Sequence, residues 1–166
     1  MSTGADQIEA EIPRLRRYAA ALLRGKGDAD DLVQDCLERA LARWAQRHAD
    51  EPLRPWLFAI MHNLFVSQRR RQAFLQAWRL APPERSVPAE QDGRMAFRDV
   101  LRALDQLDVD QRAVLLLVGV EDFSYAEAAK ILDCPVGTVM SRLCRGRERL
   151  RELLERDGPV GLRRVK

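Results

Sequence analysis

The sequence predicts an all-α protein made of two small helical domains joined by a linker. Apolar residues recur every three or four positions through most of the 166 residues, which is the spacing of an amphipathic helix. We find no alternating run long enough for a strand, and proline and glycine stand mainly between the periodic segments. The hydrophobic share of 46% is enough for a packed core in each half.

Three helices are predicted in the first half. Apolar spacing places the first over 12–24. Asp28 is positioned as the N-cap of the second, whose apolar stripe continues to Trp44. Pro55 suits the first position of the third, which is apolar nearly all round as far as Val66 and should be mostly buried.

A linker is predicted at 80–93, where three prolines occur and large apolar side chains are almost absent. We therefore place a first domain at 1–76, a linker at 77–96 and a second domain at 97–166. A fourth helix follows between Phe97 and Leu107.

The second half ends in the pattern of a helix-turn-helix. Asp108 or Asp110 can cap a fifth helix, and Ser124 opens a sixth with a capping box of the S-x-x-E type. A three-residue turn at 133–135 leads into a long basic helix from Val136 to about residue 155.

The last helix has two distinct faces. Its apolar face should pack on the helices before it, with Gly146 allowing close approach. Its other face carries hydroxyls and guanidiniums, which read major-groove edges and bind phosphates, although a merely solvated basic face is the alternative. The capping box and the early arginines favour DNA binding. The residues concerned are Thr138, Ser141, Arg142, Arg145 and Arg149.

Charge is segregated between the halves. Five acidic residues and no basic residue lie between Asp28 and Glu38, whereas five arginines and one acid lie between Arg142 and Arg151. The acidic face suits a basic protein partner, and a solvated helix flank is the alternative. The chain has 25 arginines and three lysines. Arginine suits phosphate and base edges, but GC-rich codon bias is the favoured explanation of the excess as a whole.

The cysteines, the histidines and the lengths of the apolar stretches exclude several classes of function. The three cysteines form no CxxC pair, so we expect neither a disulfide framework nor a metal site. His48 and His62 form no triad or phosphate loop, so we expect no catalytic residue, no cofactor and no small-molecule substrate. No apolar stretch is long enough for membrane insertion and no signal peptide is evident, so a cytoplasmic protein is expected.

Three segments in order resemble the extracytoplasmic-function (group 4) sigma factors of bacterial RNA polymerase. Residues 30–35, Asp-Asp-Leu-Val-Gln-Asp, resemble the region 2 stretch that docks on the polymerase clamp. Residues 54–64, from Arg-Pro-Trp-Leu-Phe to His-Asn-Leu, resemble the segment that ends in minus-ten recognition. Residues 125–150, with Pro-Val-Gly-Thr-Val at 135–139, resemble region 4 and its minus-35 helix.

The resemblance implies core RNA polymerase (clamp and flap), promoter DNA and an anti-sigma factor as partners. It implies a region 2 helical bundle that binds polymerase through Asp31, Gln34, Asp35 and Glu38. The same domain would bind the minus-ten element through His62, Asn63, Arg69, Arg70 and Arg71. A region 4 helix-turn-helix would bind the minus-35 element through Thr138, Met140, Ser141, Arg142, Arg145 and Arg149.

The sequence departs from the family pattern at a few positions. His62 stands where arginine is usual, Asp133 replaces a turn glycine, and Met140 and Cys144 stand where polar, basic or aromatic residues are common. Asn63 matches the position that reads a flipped base, while from its residue type alone a helix-terminal cap is the alternative. The pairing of residues 62–65, His-Asn-Leu-Phe, with residues 117–120, Leu-Val-Gly-Val, resembles the branch that includes alphaproteobacterial general-stress sigma factors.

A second hypothesis is a one-component helix-turn-helix regulator whose first domain senses a ligand or dimerises. Such a regulator has no need of the acidic second helix or of the segment from Asn63 to Arg71. Run-off transcription with core polymerase distinguishes the two hypotheses, because only a sigma factor confers promoter-specific initiation.

Overall fold

The computed structural model describes residues 4–23, 26–48, 50–79 and 95–157. These residues form helices and connecting turns with no strand among them, which confirms the predicted fold class. A short 3₁₀ turn, Trp44–Gln46, follows the second helix. The α-helices are α1 (Gly4–Leu23), α2 (Lys26–Arg43), α3 (Leu53–Arg79), α4 (Met95–Asp105), α5 (Val109–Gly119), α6 (Tyr125–Ile131) and α7 (Val136–Asp157).

Helix α1 is longer than its sequence predicts. It begins eight residues before the expected start at 12 and keeps Pro13 in its interior. Ile8, in the added part, is 4% exposed and belongs to the core. Burial of that side chain offsets the cost of the proline, which is the usual way in which packing overrides local propensity.

Two further helix starts also differ from the prediction. Helix α2 begins at Lys26, so Asp28 lies within its first turn and is not the N-cap. There its carboxylate still meets the positive end of the helix dipole. Helix α3 begins at Leu53, two residues before Pro55, and its main body is buried as expected, with Leu57 and Phe58 fully inaccessible.

The helix caps observed in the second half are those that the sequence predicts. The Asp108 carboxylate accepts a hydrogen bond of 2.9 Å from the Asp110 amide, which identifies Asp108 as the cap of α5. The Glu127 amide donates to Ser124 Oγ at 3.2 Å and the Ser124 amide donates to Glu127 Oε2 at 2.8 Å, which completes the capping box. Asp133 adopts a φ of 48°, so it replaces glycine in the turn before α7 at a modest conformational cost.

Helix α7 packs closely on α5 at Gly146. A Cβ atom at this position would lie 3.0 Å from Leu115 Cδ1 and 3.3 Å from Gln111 Cβ, so the expected close approach is confirmed. Val139 and Leu143 are buried on the same helix, and Leu153, at 1% exposed, also belongs to the core.

The two halves pack against each other and share one hydrophobic core. Phe58 of α3 and Phe123, which precedes α6, meet edge to face with ring centroids 4.9 Å apart. Helix α3 continues to Arg79 and α4 begins at Met95, so both helices extend into the predicted 77–96 linker. The rest of that linker lies outside the described residues.

Candidate nucleic-acid and partner interfaces

The predicted DNA-reading face of α7 is open to solvent at most positions. Met140 is 52% exposed, and Arg145 and Arg149 are exposed, with Arg149 paired to Glu152 at 2.9 Å. Thr138 and Ser141 are half-buried, and the Ser141 hydroxyl donates to the Thr138 carbonyl at 3.0 Å. The face therefore presents arginines and a thioether along its exposed surface.

Arg142 differs from the other arginines of this face. Its guanidinium lies 2.6 Å from the Asp110 carboxylate at the start of α5, and its side chain is 29% exposed. This ion pair holds Arg142 toward the body of the protein. A base contact by Arg142 requires that the pair be exchanged for a pair with DNA.

The predicted minus-ten residues lie along one helix, α3. Asn63 is exposed in the middle of this helix, and its carbonyl accepts a hydrogen bond of 2.8 Å from the Ser67 hydroxyl. That position excludes the alternative of a helix-terminal cap. Arg69, Arg70 and Arg71 are all exposed, and the Arg69 guanidinium lies 5.8 Å from the centroid of the Phe65 ring.

His62 is buried, unlike its neighbours in this set. It is 7% exposed, and its Nδ1 has no hydrogen-bond partner among the described residues. Burial lowers the pKa of the imidazole to about 4; the negative charge of Asp110 raises it to a smaller extent, and the positive charge of Arg142 lowers it further. In this arrangement His62 is neutral and faces the second half, so its predicted DNA contact needs the halves to separate.

We expect the stability of this closed arrangement to fall as the pH is lowered from about 6.5 toward 4. The unfolded chain binds a proton at His62 near pH 6.5 whereas the folded chain resists it, so this contribution, up to about 3 kcal/mol, is fully lost below the folded pKa. Urea unfolding of His62→Gln at several pH values should show a flatter pH dependence. His48→Gln, the same substitution at an exposed position, is the matched control, and equal slopes for the two variants would contradict the assignment.

The acidic face of α2 is exposed on the first half. Asp31, Gln34, Asp35 and Glu38 are all exposed. The Gln34 amide donates to Glu38 at 3.1 Å, and the Gln68 amide of α3 donates to Asp35 at 3.3 Å. These amides orient the carboxylates and leave the face anionic, as a docking surface for a basic partner requires.

Contacts between the halves form a group of residues that the sequence analysis did not identify. Glu121, in the turn between α5 and α6, is 1% exposed and binds Arg17 of α1 and Arg54 of α3. Arg112 of α5 donates to the Leu22 carbonyl of α1 at 3.1 Å. The sequence contains one hint of this contact: two successive acidic residues at 121–122 interrupt an apolar region.

Two negative findings apply to the described residues. No group of three or more His, Cys, Asp or Glu side chains is arranged to hold a metal ion there. In the same part of the chain, no helix combines the length and apolarity that crossing a membrane requires.

Family comparisons agree with this geometry. The family described as "Sigma2 domain of PhyR" matches residues 8–62, and the family described as "Sigma-70, region 4" matches residues 97–150. A helical bundle with an acidic face followed by a helix-turn-helix thus defines a protein with sigma-70 regions 2 and 4.

Similar proteins of assigned function show to which group of sigma-70 proteins the chain belongs. The ECF RNA polymerase sigma factor EcfG of Rhodopseudomonas palustris (strain TIE-1) is 42% identical over 92% of this chain and 86% of its own length. SigC, an ECF sigma factor of Mycobacterium tuberculosis (strain CDC 1551 / Oshkosh), is 34% identical over 85% of this chain and 78% of its own length. The chain belongs to the ECF RNA polymerase sigma factors.

Solved structures show the same fold. The sigma factor RpoE of Bartonella quintana, crystallised with the anti-sigma factor NepR, matches with a TM-score of 0.80 and 37% identity over 92% of this chain and 97% of that one. CnrH in complex with the cytosolic domain of CnrY matches with a TM-score of 0.71 and 26% identity over 92% of this chain and 88% of that one.

Proposed function

We propose that this sigma factor binds core RNA polymerase through the acidic face of α2 and directs initiation at promoters with a minus-ten and a minus-35 element. The observation that carries the proposal is the separation of three exposed surfaces on three helices: the acids of α2, Asn63 with its arginines on α3, and the basic face of α7. A protein that binds a polymerase and two DNA elements at once needs such separate surfaces.

Recognition of the minus-35 element is assigned to α7. The helix follows a short turn after α6, as the recognition helix of a helix-turn-helix does, and Val136, Gly137 and Met140 of its first turns are exposed. Arg145 and Arg149 provide phosphate or guanine contacts, and Thr138 and Ser141 provide hydroxyls. Met140 offers an apolar contact to a thymine methyl group.

Recognition of the minus-ten element is assigned to the exposed side of α3. Asn63 can form paired hydrogen bonds with the edge of a base that has left the stack. Arg69, Arg70 and Arg71 follow it on exposed positions of the same helix, where they neutralise the phosphates of the melted strand.

Control by an anti-sigma factor completes the proposal. The RpoE and CnrH structures that resemble this chain are complexes, the first with the anti-sigma factor NepR and the second with CnrY. We assign this chain a partner of the same kind and a role in a stress response. The polymerase flap contacts the second half, and the protein acts in the cytoplasm without a catalytic site, a cofactor or a small-molecule substrate.

Run-off transcription with purified core polymerase tests the proposal. Fragmented genomic DNA as template should give a set of discrete transcripts only when the chain is added. Transcription that is unchanged by the chain would contradict the function and favour the one-component regulator.

We expect Asn63→Ala to relax or abolish minus-ten selectivity without unfolding the protein. Asn63 is exposed and its side chain contributes nothing to the core, so removal should cost about 1–3 kcal/mol of base discrimination. Transcription from templates with single minus-ten substitutions measures the discrimination, and thermal unfolding is the control. A large fall in melting temperature with promoter choice unchanged would show a structural role instead.

A further inference from the structure

The last turns of α3 carry a patch of large apolar side chains that face solvent. Phe74 is 62% exposed, Leu75 is 40% exposed and Trp78 is 77% exposed. The rings of Phe74 and Trp78, called the aromatic pair below, have centroids 6.0 Å apart and planes tilted by 44°. Single exposed apolar residues are ordinary on a protein surface, but neighbours on one helix form a continuous patch that suits a partner.

The aromatic pair continues the face of α3 that presents Asn63. Five exposed side chains follow one another at steps of three or four residues, a spacing that places them on one stripe of a helix. They are Asn63, Ser67, Arg70, Phe74 and Trp78. The amide proposed to read a base, a cation and two aromatic rings therefore lie in line.

The charge around the patch has one sign. No aspartate or glutamate occurs between Glu51 and Glu84, whereas Arg69, Arg70 and Arg71 precede the aromatic pair and are exposed. Like charges oppose packing of this patch on the same patch of a second copy of the chain. The patch therefore suits an anionic partner that also offers flat apolar surfaces.

An unpaired nucleic-acid strand has both properties. Its phosphates attract arginines, and the π-face of every base can stack on an aromatic ring. The two rings of the aromatic pair are too close and too tilted to admit a base between them, so a base stacks on an outer face. A duplex keeps its bases stacked within the helix and offers no such faces.

An anionic lipid surface is the competing partner, and the burial of α3 disfavours it. A helix binds such a surface by lying along it with its apolar face inserted. Leu57, Phe58 and Met61 of α3 are fully inaccessible, so only the last turns of the helix can reach a membrane. A strand needs no more than one exposed stripe.

We propose that Phe74 and Trp78 form a base-stacking platform for single-stranded DNA, beside the position at which Asn63 reads a base. The proposal rests on the proposed function for the identity of the strand, the melted minus-ten region. The rise of an α-helix puts Phe74 about 16 Å from Asn63 along the axis, so the platform holds bases other than the one at Asn63. It supplies affinity without sequence choice, because all four bases can stack.

Binding of the intact chain to a short fluorescein-labelled oligothymidylate, followed by anisotropy, tests the platform. Phe74→Ala and Trp78→Ala should each weaken binding at least about fivefold, because each removes a stacking surface. Trp78→Phe should keep most of the affinity, since an aromatic face remains. Leu41→Ala is the matched control, because Leu41 is a 56% exposed apolar residue on a different helix, α2, and its loss should leave binding unchanged.

An abasic oligonucleotide of the same length separates stacking from charge. It keeps the phosphates and lacks the bases, so the wild type should bind it more weakly than oligothymidylate at the same salt concentration. Trp78→Ala should bind the abasic strand as the wild type does. Equal wild-type affinity for the two strands, or oligothymidylate binding that neither alanine variant weakens, would overturn the proposal.

Two further measurements address the other partners. Trp78→Ala might as a variant lose binding to phosphatidylglycerol vesicles while oligothymidylate binding stays unchanged, or it could dissociate a wild-type dimer in sedimentation with the same unchanged binding; either result overturns the platform. Phe74 and Trp78 are exposed, so circular dichroism should show folded variants. If an alanine variant unfolds, the wild-type comparison of oligothymidylate with the abasic strand decides the result.

The platform and the proposed function fail separately. Oligonucleotide binding needs no polymerase, and run-off transcription needs no free oligonucleotide. Discrete transcripts together with unweakened binding by the alanine variants would refute the platform alone. Loss of oligothymidylate binding in those variants, without promoter-specific transcripts from the wild type, would refute the sigma-factor function alone.

Discussion

Arg112→Ala is expected to lower the free energy of unfolding by about 3–5 kcal/mol, the largest stability effect of any single substitution considered. Arg112 is 1% exposed. Its side chain donates to the carbonyls of Leu104, Asp105 and Leu107 at 2.8, 3.0 and 3.3 Å. It also donates to the carbonyl of Leu22 at 3.1 Å.

These acceptors lie at or just beyond helix ends. The first three belong to the C-terminal end of α4 and the residues just after it, and Leu22 lies in the last turn of α1. Terminal helical carbonyls have no partner within their own helix, so one guanidinium satisfies the ends of two helices. Truncation to alanine removes all four hydrogen bonds, three of them buried, and opens a cavity at the same time.

Urea unfolding followed by circular dichroism measures the effect. Arg102→Ala is the matched control, because Arg102 is 74% exposed and its ion pair among the described residues is with Asp99 on its own helix. We expect it to change stability by no more than about 0.5 kcal/mol. Equal losses for the two variants would show that the buried arginine does not act as a helix cap.

Asp35→Arg is expected to weaken binding to core polymerase at least about tenfold, and Asp28→Arg much less. Asp35 lies among the exposed polar residues of α2, where its carboxylate accepts only the Gln68 amide among the contacts described for it. Reversal of its charge puts a cation in the middle of the proposed docking surface. Asp28 lies in the first turn of α2, away from the centre of that surface.

Pull-down of core polymerase by each variant measures the difference. Both positions are exposed, so both variants should fold, which thermal unfolding checks. Equal binding of Asp35→Arg and Asp28→Arg would contradict the assignment of the acidic face to polymerase docking.

Local signals explain why so much of the fold was predictable. The Ser124 and Glu127 capping box, the turn at Asp133 and the close approach at Gly146 each depend on neighbours within a few residues or on one helical face. Periodicity placed α4 to α7 correctly for the same reason. The helix starts of the first half were placed less well, since packing of Ile8 extended α1 past a proline.

The candidate site was predictable to a smaller degree. Motif resemblance suggested Asn63, and the helical spacing suggested the arginines of α7. The structure shows that Asn63, Arg145 and Arg149 are exposed, whereas Arg142 is half-buried and paired with Asp110. Resemblance could not show that His62 is buried, because burial depends on what packs over a residue and not on its own neighbours in the chain.

By itself, the sequence determined the all-helical class, the helix caps of the second half, the helix-turn-helix and the family to which the chain belongs. Only the tertiary structure showed that the halves close on each other through Arg112 and the pair of Glu121 and Phe123. Glu121 and Arg17 are separated by 104 positions, and no local pattern links them. Their pairing arises only when two helical surfaces meet and a buried carboxylate must find a cation.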